Sequence, residues 1–398
     1  MQKSIILATD NNYLIQVETT IKSILTHNTD VCIYVFNNDI APEWFKLLNV
    51  KLVSANSQII NIRVDQNMFN SYKTGDLINY TTFFRYLIPD LVTSDRSLYL
   101  DCDLLVTGDL SELFHMDMEG KPVAAVASPY AWESDPYGFN AGVLLIDNNL
   151  WRSNSYISQL LKLTEEKQAE VAMADQSILN IFFQNNWKEI DSTYNYLVGL
   201  DYNYRGAELS RLEDSLPKII HFAGTHKPWH TYSSTRLREL WWTYRDLDWL
   251  EVLSESPNLN YYHRVNQSKK QIFILTLAAK IEHIHYLVTS LPDWHFHLAA
   301  PCDCSEELTS LSQYTNVTVY QNVLHSRIDW LLDDSIVYLD INTGGEVFNV
   351  VTRAQESGKK IFAFDITRKS MDDGLYDGIF SVERPDDLVD RMKNIEIE

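Results

Sequence analysis

Twice along this chain, short apolar runs alternate with stretches of helical spacing, and that alternation leaves few folds open. Residues 4–8 read as a buried strand closed by the polar turn Thr9-Asp10-Asn11-Asn12, and residues 13–25 carry Leu14, Val17, Ile21, Ile24 and Leu25 at helical spacing. The spacing predicts strands at 31–36, 58–64, 98–100, 123–127 and 143–146, helices at 43–48, 81–88, 153–165 and 175–183, a loop over 137–142, and a short buried strand at 219–222. Residues 236–253 are tryptophan-rich at helical spacing, and 254–268, with Pro257 and several asparagines, suit a linker. Beyond it the alternation restarts, with strands expected at 271–277, 295–299, 317–320, 336–339 and 360–364 and a closing helix at 385–394. This is an α/β chain: strands alternating with helices imply an open, mostly parallel sheet, whose ligands bind beyond the carboxyl ends of the strands. The expected organisation is a larger α/β domain over 1–253, a linker over 254–268 and a smaller α/β unit over 269–398.

With 398 residues, 45% of them hydrophobic, the chain can bury two or three substantial cores. A net charge of -21 disfavours nucleic acid and anionic lipid surfaces as partners, and no basic run offsets it. The apolar stretch at the amino terminus is too short for a signal peptide and no later run is long enough to span a bilayer, so a cytoplasmic address is expected. Cys32, Cys102, Cys302 and Cys304 are sparse, which fits a reducing compartment; Cys302-Asp303-Cys304 lacks the second pair a zinc site would need and is read as structural.

The sharpest chemical signal is Tyr99-Leu100-Asp101-Cys102-Asp103-Leu104-Leu105-Val106. In an extended segment Asp101 and Asp103 share a face, and two such anions repel unless a cation lies between them. A hard divalent ion, Mn²⁺ or Mg²⁺, that also holds a diphosphate would supply it; an ordinary turn or cap is the plainer alternative. His221 can complete such an oxygen-rich shell or can be a core histidine, and after it Gly224 permits close backbone approach while Lys227 offers a point charge for a phosphate, or sits in a solvated loop. Ala8-Thr9-Asp10 with Tyr13 can receive a nucleoside or merely turn a strand into a helix. Arg85 can neutralise a phosphate or pair with Asp101; Asn140-Ala141-Gly142 offers an amide and bare backbone to sugar hydroxyls; Asp175-Gln176 opens a helix where a carboxylate is equally a cap.

Taken in order, these stretches, including Phe139-Asn140-Ala141-Gly142-Val143 and His221-Phe222-Ala223-Gly224 through Lys227-Pro228-Trp229, resemble glycosyltransferase family 8, the family of glycogenin and the bacterial lipopolysaccharide α-galactosyltransferases, over roughly residues 1–250. The resemblance implies a Rossmann-like GT-A fold that moves galactose or glucose from a UDP-sugar with retention of configuration, using Mn²⁺. By position it makes Asp101, Asp103 and His221 metal ligands and Ala8, Asp10 and Tyr13 uridine contacts, with Thr9 and Cys102 inside the same binding stretches. It makes Arg85, Asn140, Ala141, Asp175 and Gln176 contacts of the donor sugar, and Gly224 and Lys227 contacts of the diphosphate. Asp175, Gln176 and Lys227 are its candidates for the chemical step, with same-face attack by the acceptor hydroxyl favoured because Gln176 is a poor nucleophile. Ser128-Pro129-Tyr130 departs from the family by lacking an acidic residue near the acceptor. The smaller unit is similar to one half of a GT-B enzyme, with Thr343-Gly344-Gly345-Glu346 its nearest approach to a phosphate loop, and suits packing or acceptor recognition better than a second active site. The combination resembles the streptococcal glycosyltransferases that extend O-glycans on serine-rich repeat adhesins, which implies a UDP-hexose donor and a glycosylated serine-rich protein acceptor. The competing readings are a glucosyltransferase of lipid-linked or cell-wall glycans and a non-catalytic binding subunit.

Overall fold

The computed structural model of the chain describes all residues except 1, 70, 73–78, 129–137, 200, 202–211, 213–214, 232, 234, 258, 260–269 and 396–398. Contacts divide it into two units: Met1–Gly199 with Arg211–Thr225 and Thr243–Leu259, and Leu200–Ser210 with His226–Trp242 and Asn260–Glu398. Lys227 therefore falls, with residues 226–242, in the second unit. Of the linker expected over 254–268, residues 258 and 260–268 lie outside the described residues.

The first unit is built on a seven-stranded sheet in the order β3-β2-β1-β4-β7-β6-β8, in which the edge strand β8 is the two-residue Lys188–Glu189. Strands β1 (Lys3–Ala8), β2 (Val31–Asn37), β3 (Gln58–Arg63) and β4 (Arg96–Leu100) run parallel. Their near-continuous Ile, Leu, Val and Phe content is what burial on both faces demands. The helix Leu14–His27 crosses between β1 and β2 and buries Val17, Ile21, Ile24 and Leu25, as its spacing predicts. The helix Pro42–Leu52 starts on a proline, whose missing N–H costs nothing in a first turn. Arg85 lies on a 3₁₀ helix, Tyr80–Leu87, packed into a core of Phe69, Phe83, Phe84 and Tyr86.

Past β4 the sheet changes sense. Strand β6 (Val123–Ala127) and β7 (Phe139–Asp147) pair antiparallel with each other, and β7 pairs antiparallel with β4, placing Leu100 opposite Val143. The loop expected over 137–142 is thus strand over its described part from Phe139 onward, because the backbone of Gly142 pairs with the turn after β4; Tyr137 lies outside the described residues. The helix expected at 153–165 begins at Tyr156, and a separate helix, Asn148–Ser153, precedes it. The Asp147 carboxylate accepts from Leu150 N at 2.9 Å to start the earlier one, and Ser155 at φ 54° breaks the run. A second sheet, β5-β10-β9, joins β5 (Leu104–Val106), β10 (Ile219–His221) and β9 (Tyr196–Leu197); β5 and β9 are too short to show a period in the sequence.

The second unit carries six parallel strands in the order β13-β12-β11-β14-β15-β16, a doubly wound arrangement of the kind the alternation predicts. They are β11 (Lys270–Leu275), β12 (Trp294–Ala300), β13 (Val317–Gln321), β14 (Val337–Asp340), β15 (Lys360–Phe364) and the unexpected three-residue β16 (Gly378–Phe380). The tryptophan-rich segment divides into helices Arg238–Asp246 and Trp249–Val252. Trp241 is buried against Trp229, at 5.2 Å between ring centroids. Among the described residues no helix is long and apolar enough to cross a membrane.

Candidate active site

The acidic turn sits where the parallel part of the sheet ends, held by two backbone pairings and one side-chain hydroxyl. Asp101 N donates to Gly142 O at 2.8 Å, Phe222 N donates to Asp103 O at 2.9 Å, and the Thr20 hydroxyl donates to Leu104 O at 2.9 Å. Cys102, between the two carboxylates, points the other way, and its Sγ contacts Ala8 O at 3.4 Å. Burial first, and then the charges of Asp101 and Asp103, push its thiol pKa well up, so it is no nucleophile. The β5–β10 register sets His221 opposite Leu104. Its Nε2 therefore reaches 3.1 Å from Asp103 Oδ1 and 3.8 Å from Asp101 Oδ2.

One ligand atom each from Asp101, Asp103 and His221 lies within 4.8 Å of the others, and the imidazole is 3% exposed. Two carboxylate oxygens and an imidazole nitrogen at that spacing fit a divalent ion such as Mn²⁺ or Mg²⁺. The backbone reserves the room: a Cβ on Gly142 would stand 2.3 Å from His221 Cε1 and 2.8 Å from Asp101 Oδ2. Glycine is required here for approach, not for turning the chain.

Behind these three side chains lies an ordered polar shell. The Tyr99 hydroxyl donates to Asp101 Oδ1 at 2.7 Å, and Arg85 Nη2 reaches the same oxygen at 3.2 Å, which leaves Oδ2 on the His221 side. Burial raises the Tyr99 pKa well above its ordinary value, keeping the phenol a donor. The Arg85 guanidinium stacks 4.3 Å from the Tyr99 ring centroid and donates to Ala141 O. Its Nε lies 2.9 Å from Asp175 Oδ2, although the N–H is directed at Thr82 O. The Thr82 hydroxyl donates to Asp175 Oδ1. Burial works against the Arg85 charge, but Asp175, Tyr99 and Asp101 more than offset it and raise its pKa. Burial also raises the Asp175 pKa, with Arg85 opposing.

Gln176 Oε1 accepts from Ala141 N at 3.0 Å and from Asn140 Nδ2 at 3.3 Å. Asn140 Oδ1 accepts from Gly142 N at 2.9 Å and from Asn195 Nδ2 at 2.8 Å, and Asn195 Oδ1 meets His221 Nδ1 at 2.8 Å. Thr82 and Asn195 carry no recognisable motif, and Tyr99, though it opens the acidic stretch, has no role that the sequence assigns. Only their place beside the motif residues in space reveals them.

In the stretch expected to receive a nucleoside, Asp10 behaves as the cap its position allows: Oδ1 accepts from Asn12 N at 2.9 Å, and Oδ2 accepts from Asn79 Nδ2. Thr9 N donates to Phe36 O at 3.0 Å. Burial and then the charges of Asp103, Asp101 and Asp10 raise the Tyr13 pKa, so its phenol shares the field of the acidic turn. Gly224 takes φ 84°, which other residues adopt at a cost. Lys227, in the second unit, holds its ammonium 5.9 Å from the Trp229 ring centroid. Pro129 and Tyr130, the departure near the acceptor, lie outside the described residues.

A Rossmann-like sheet that ends in an Asp-x-Asp turn, with a histidine brought beside it from a small second sheet, defines a sugar transferase of the GT-A fold. The chain belongs to glycosyl transferase family 8, whose sequence profile matches residues 4–233, while the profile of the GftB/GlyA-F C-terminal domain matches residues 272–397. It is 65% identical over 398 residues, all of both chains, to glycosyltransferase GlyF of Streptococcus pneumoniae. The crystal structure of apo glycosyltransferase GlyE from Streptococcus pneumoniae TIGR4 superposes with a TM-score of 0.56 at 34% identity, covering 99% of each chain. The galactosyltransferase LgtC, crystallised with donor and acceptor sugar analogs, shares the fold at 23% identity and a TM-score of 0.54, over 61% of this chain and 95% of its own. A hexosyltransferase of this family implies a sugar-nucleotide donor and a glycan acceptor.

Proposed function

We propose that this chain is a retaining, metal-dependent transferase that moves galactose from UDP-galactose to a sugar hydroxyl of a glycan on a serine-rich repeat glycoprotein. The observation that carries this reading is the convergence of Asp101, Asp103 and His221, whose ligand atoms lie within 4.8 Å of one another. Carboxylates that close keep each other's company at a cost unless a cation offsets it, which argues against a merely structural role. Those three residues would hold Mn²⁺, which when bound supplies Lewis-acid neutralisation of the charge developing on the leaving diphosphate.

The remaining roles belong to the chain's own groups. Arg85 and Tyr99 orient Asp101, and Arg85 also fixes the Ala141 carbonyl that borders the proposed sugar pocket. Retention by same-face attack of the acceptor hydroxyl is supported by the state of the nearest candidate nucleophiles. Gln176 Oε1 is engaged by two N–H donors, and Asp175 is buried between Thr82 and Arg85. Ala8, Asp10 and Tyr13 are assigned to uridine, and Gly224 and Lys227 to the diphosphate, on the family resemblance. The C-terminal α/β unit is assigned to packing or acceptor recognition.

The test is hydrolysis and transfer with UDP-galactose and UDP-glucose side by side, each with Mn²⁺ and with chelator, on a serine-rich peptide already bearing a sugar. Galactose transfer lost on chelation supports the reading. Equal use of both donors removes the galactose assignment, and turnover undiminished by chelator removes the metal.

A further inference from the structure

We infer that Asn195 is a positioning residue for the metal site: its carboxamide decides which nitrogen of His221 faces the cation and ties that choice to the sugar side through Asn140 and Gln176. The inference rests on the metal-dependent reading above and adds to it a residue outside every motif.

The orientation of each amide is forced by backbone. Gly142 N–H can only donate, so the Asn140 oxygen it meets at 2.9 Å is Oδ1. The Asn195 group that meets that same oxygen at 2.8 Å must then be the donor Nδ2, which leaves Asn195 Oδ1 facing His221 Nδ1 at 2.8 Å. An amide oxygen accepts only, so Nδ1 carries the hydrogen and Nε2 is the atom turned to Asp103 and Asp101. At the far end Ala141 N–H fixes Gln176 Oε1 in the same way at 3.0 Å, and Asn140 Nδ2 reaches it at 3.3 Å.

Burial makes the arrangement rigid. Asn195 is 2% exposed, so water does not replace a lost partner without cost. The strand it leads into, β9, pairs in parallel with β10 and sets Leu197 beside His221. The amide is thus delivered by the same small sheet that delivers the ligand. Outer partners of this kind fix the ring orientation of metal-bound histidines, and their loss typically weakens metal binding by about 10- to 100-fold.

The test compares Asn195→Leu, which removes the acceptor at similar volume, with Asn195→Asp, which keeps an oxygen opposite Nδ1, and with His221→Ala. Mn²⁺ affinity is measured by calorimetry in the presence of UDP, and the imidazole nitrogen coupling by electron spin echo of the bound Mn²⁺. The expected result is a 10- to 100-fold rise in Kd for Asn195→Leu, of the size that loss of an outer partner brings (about one to two decades), with the nitrogen coupling lost as in His221→Ala and both regained in Asn195→Asp. Asn195→Leu with unaltered Kd and nitrogen coupling overturns the assignment while leaving the metal reading intact. Equal losses in Asn195→Leu, in Asn195→Asp and in Asn195→Asp combined with Asn140→Ala, which removes the oxygen that the aspartate would otherwise face, overturn it too, since the effect would then be packing rather than the acceptor. An unaltered protein that takes up no Mn²⁺ with UDP brings down the metal reading itself.

Discussion

Replacing Gly142 with alanine adds one methyl group and tests the whole geometry of the site. That carbon would sit 2.3 Å from His221 Cε1 and 2.8 Å from both His221 Nδ1 and Asp101 Oδ2. Carbon atoms rest about 3.5–4.0 Å apart, so the ring must retreat by roughly 1.2 Å or more. It has little freedom to do so: it is held by Asn195 at 2.8 Å and by the pairing of β10 with β5. Overpacking of this kind costs about 1–3 kcal/mol, against which the gain from removing a strand glycine is only roughly 0.5–1 kcal/mol. The clash wins. At about 2–4 °C per kcal/mol for a domain of this size, the melting temperature should fall by a few degrees, up to about 10 °C. A misplacement near 1 Å costs on the order of 100-fold in rate, and Mn²⁺ affinity should fall with it. The assays are Mn²⁺ calorimetry, UDP-galactose turnover and thermal melting, with Gly345→Ala as control because nothing stands within 4 Å of a Cβ there. A Gly142→Ala protein that melts, binds Mn²⁺ and turns over like the parent would refute the argument that the glycine reserves the ion's space.

The other predictions touch different parts of the molecule. Asp103→Asn should lower Mn²⁺-dependent turnover by at least about 100-fold while leaving any chelator-resistant hydrolysis as it was; equal rates with Mn²⁺ would sink the ligand assignment. Arg85→Met strips the cation from Asp175, which is 2% exposed, and should cost about 3–5 kcal/mol in urea unfolding, with a change under 1 kcal/mol counting against the buried pair. In the second unit burial, and then the charges of His295 and Arg327, lower the His297 pKa well below its ordinary value. The folded state then binds fewer protons than the unfolded state between that lowered pKa and about 6.5. Stability is complete above about pH 6.5 and falls as pH drops, with a limiting slope of about 1.4 kcal/mol per pH unit for this one group. Urea midpoints of the second unit's transition between pH 7.5 and 5.5 should show that fall in the parent and less of it in His297→Gln; identical slopes would show that His297 is not its source.

The parts of this protein that can be read from its chain are those that a period or a spacing encodes. The parallel strands β1 to β4 and β11 to β15 are apolar runs, because both faces of such a sheet are covered, and the helix Leu14–His27 shows its buried stripe at every turn. Asp101 and Asp103 announce themselves because two like charges at that spacing need a reason. What escaped reading depends on contacts distant in sequence. Nothing about Phe139-Asn140-Ala141-Gly142 marks it as strand, since its extended form is imposed by pairing with the turn at Asp101, 41 residues from Gly142 by number. Arg85, Asn140, His221 and Gln176 are recognisable as members of a pattern, but their partners Thr82, Tyr99 and Asn195 supply the orientation, and an asparagine or a threonine in a polar stretch looks the same whether it faces water or a candidate metal ligand. Asn195 illustrates the limit: 26 residues separate it from His221, and only the parallel pairing of two-residue β9 with three-residue β10 brings them together. The side chains of such a candidate site are therefore legible one by one, while the shell that selects one nitrogen of His221 and one oxygen of Asp101 exists only once the small second sheet has set Asn195 beside His221, and Tyr99 of β4 and Arg85 of the 3₁₀ helix have met Asp101.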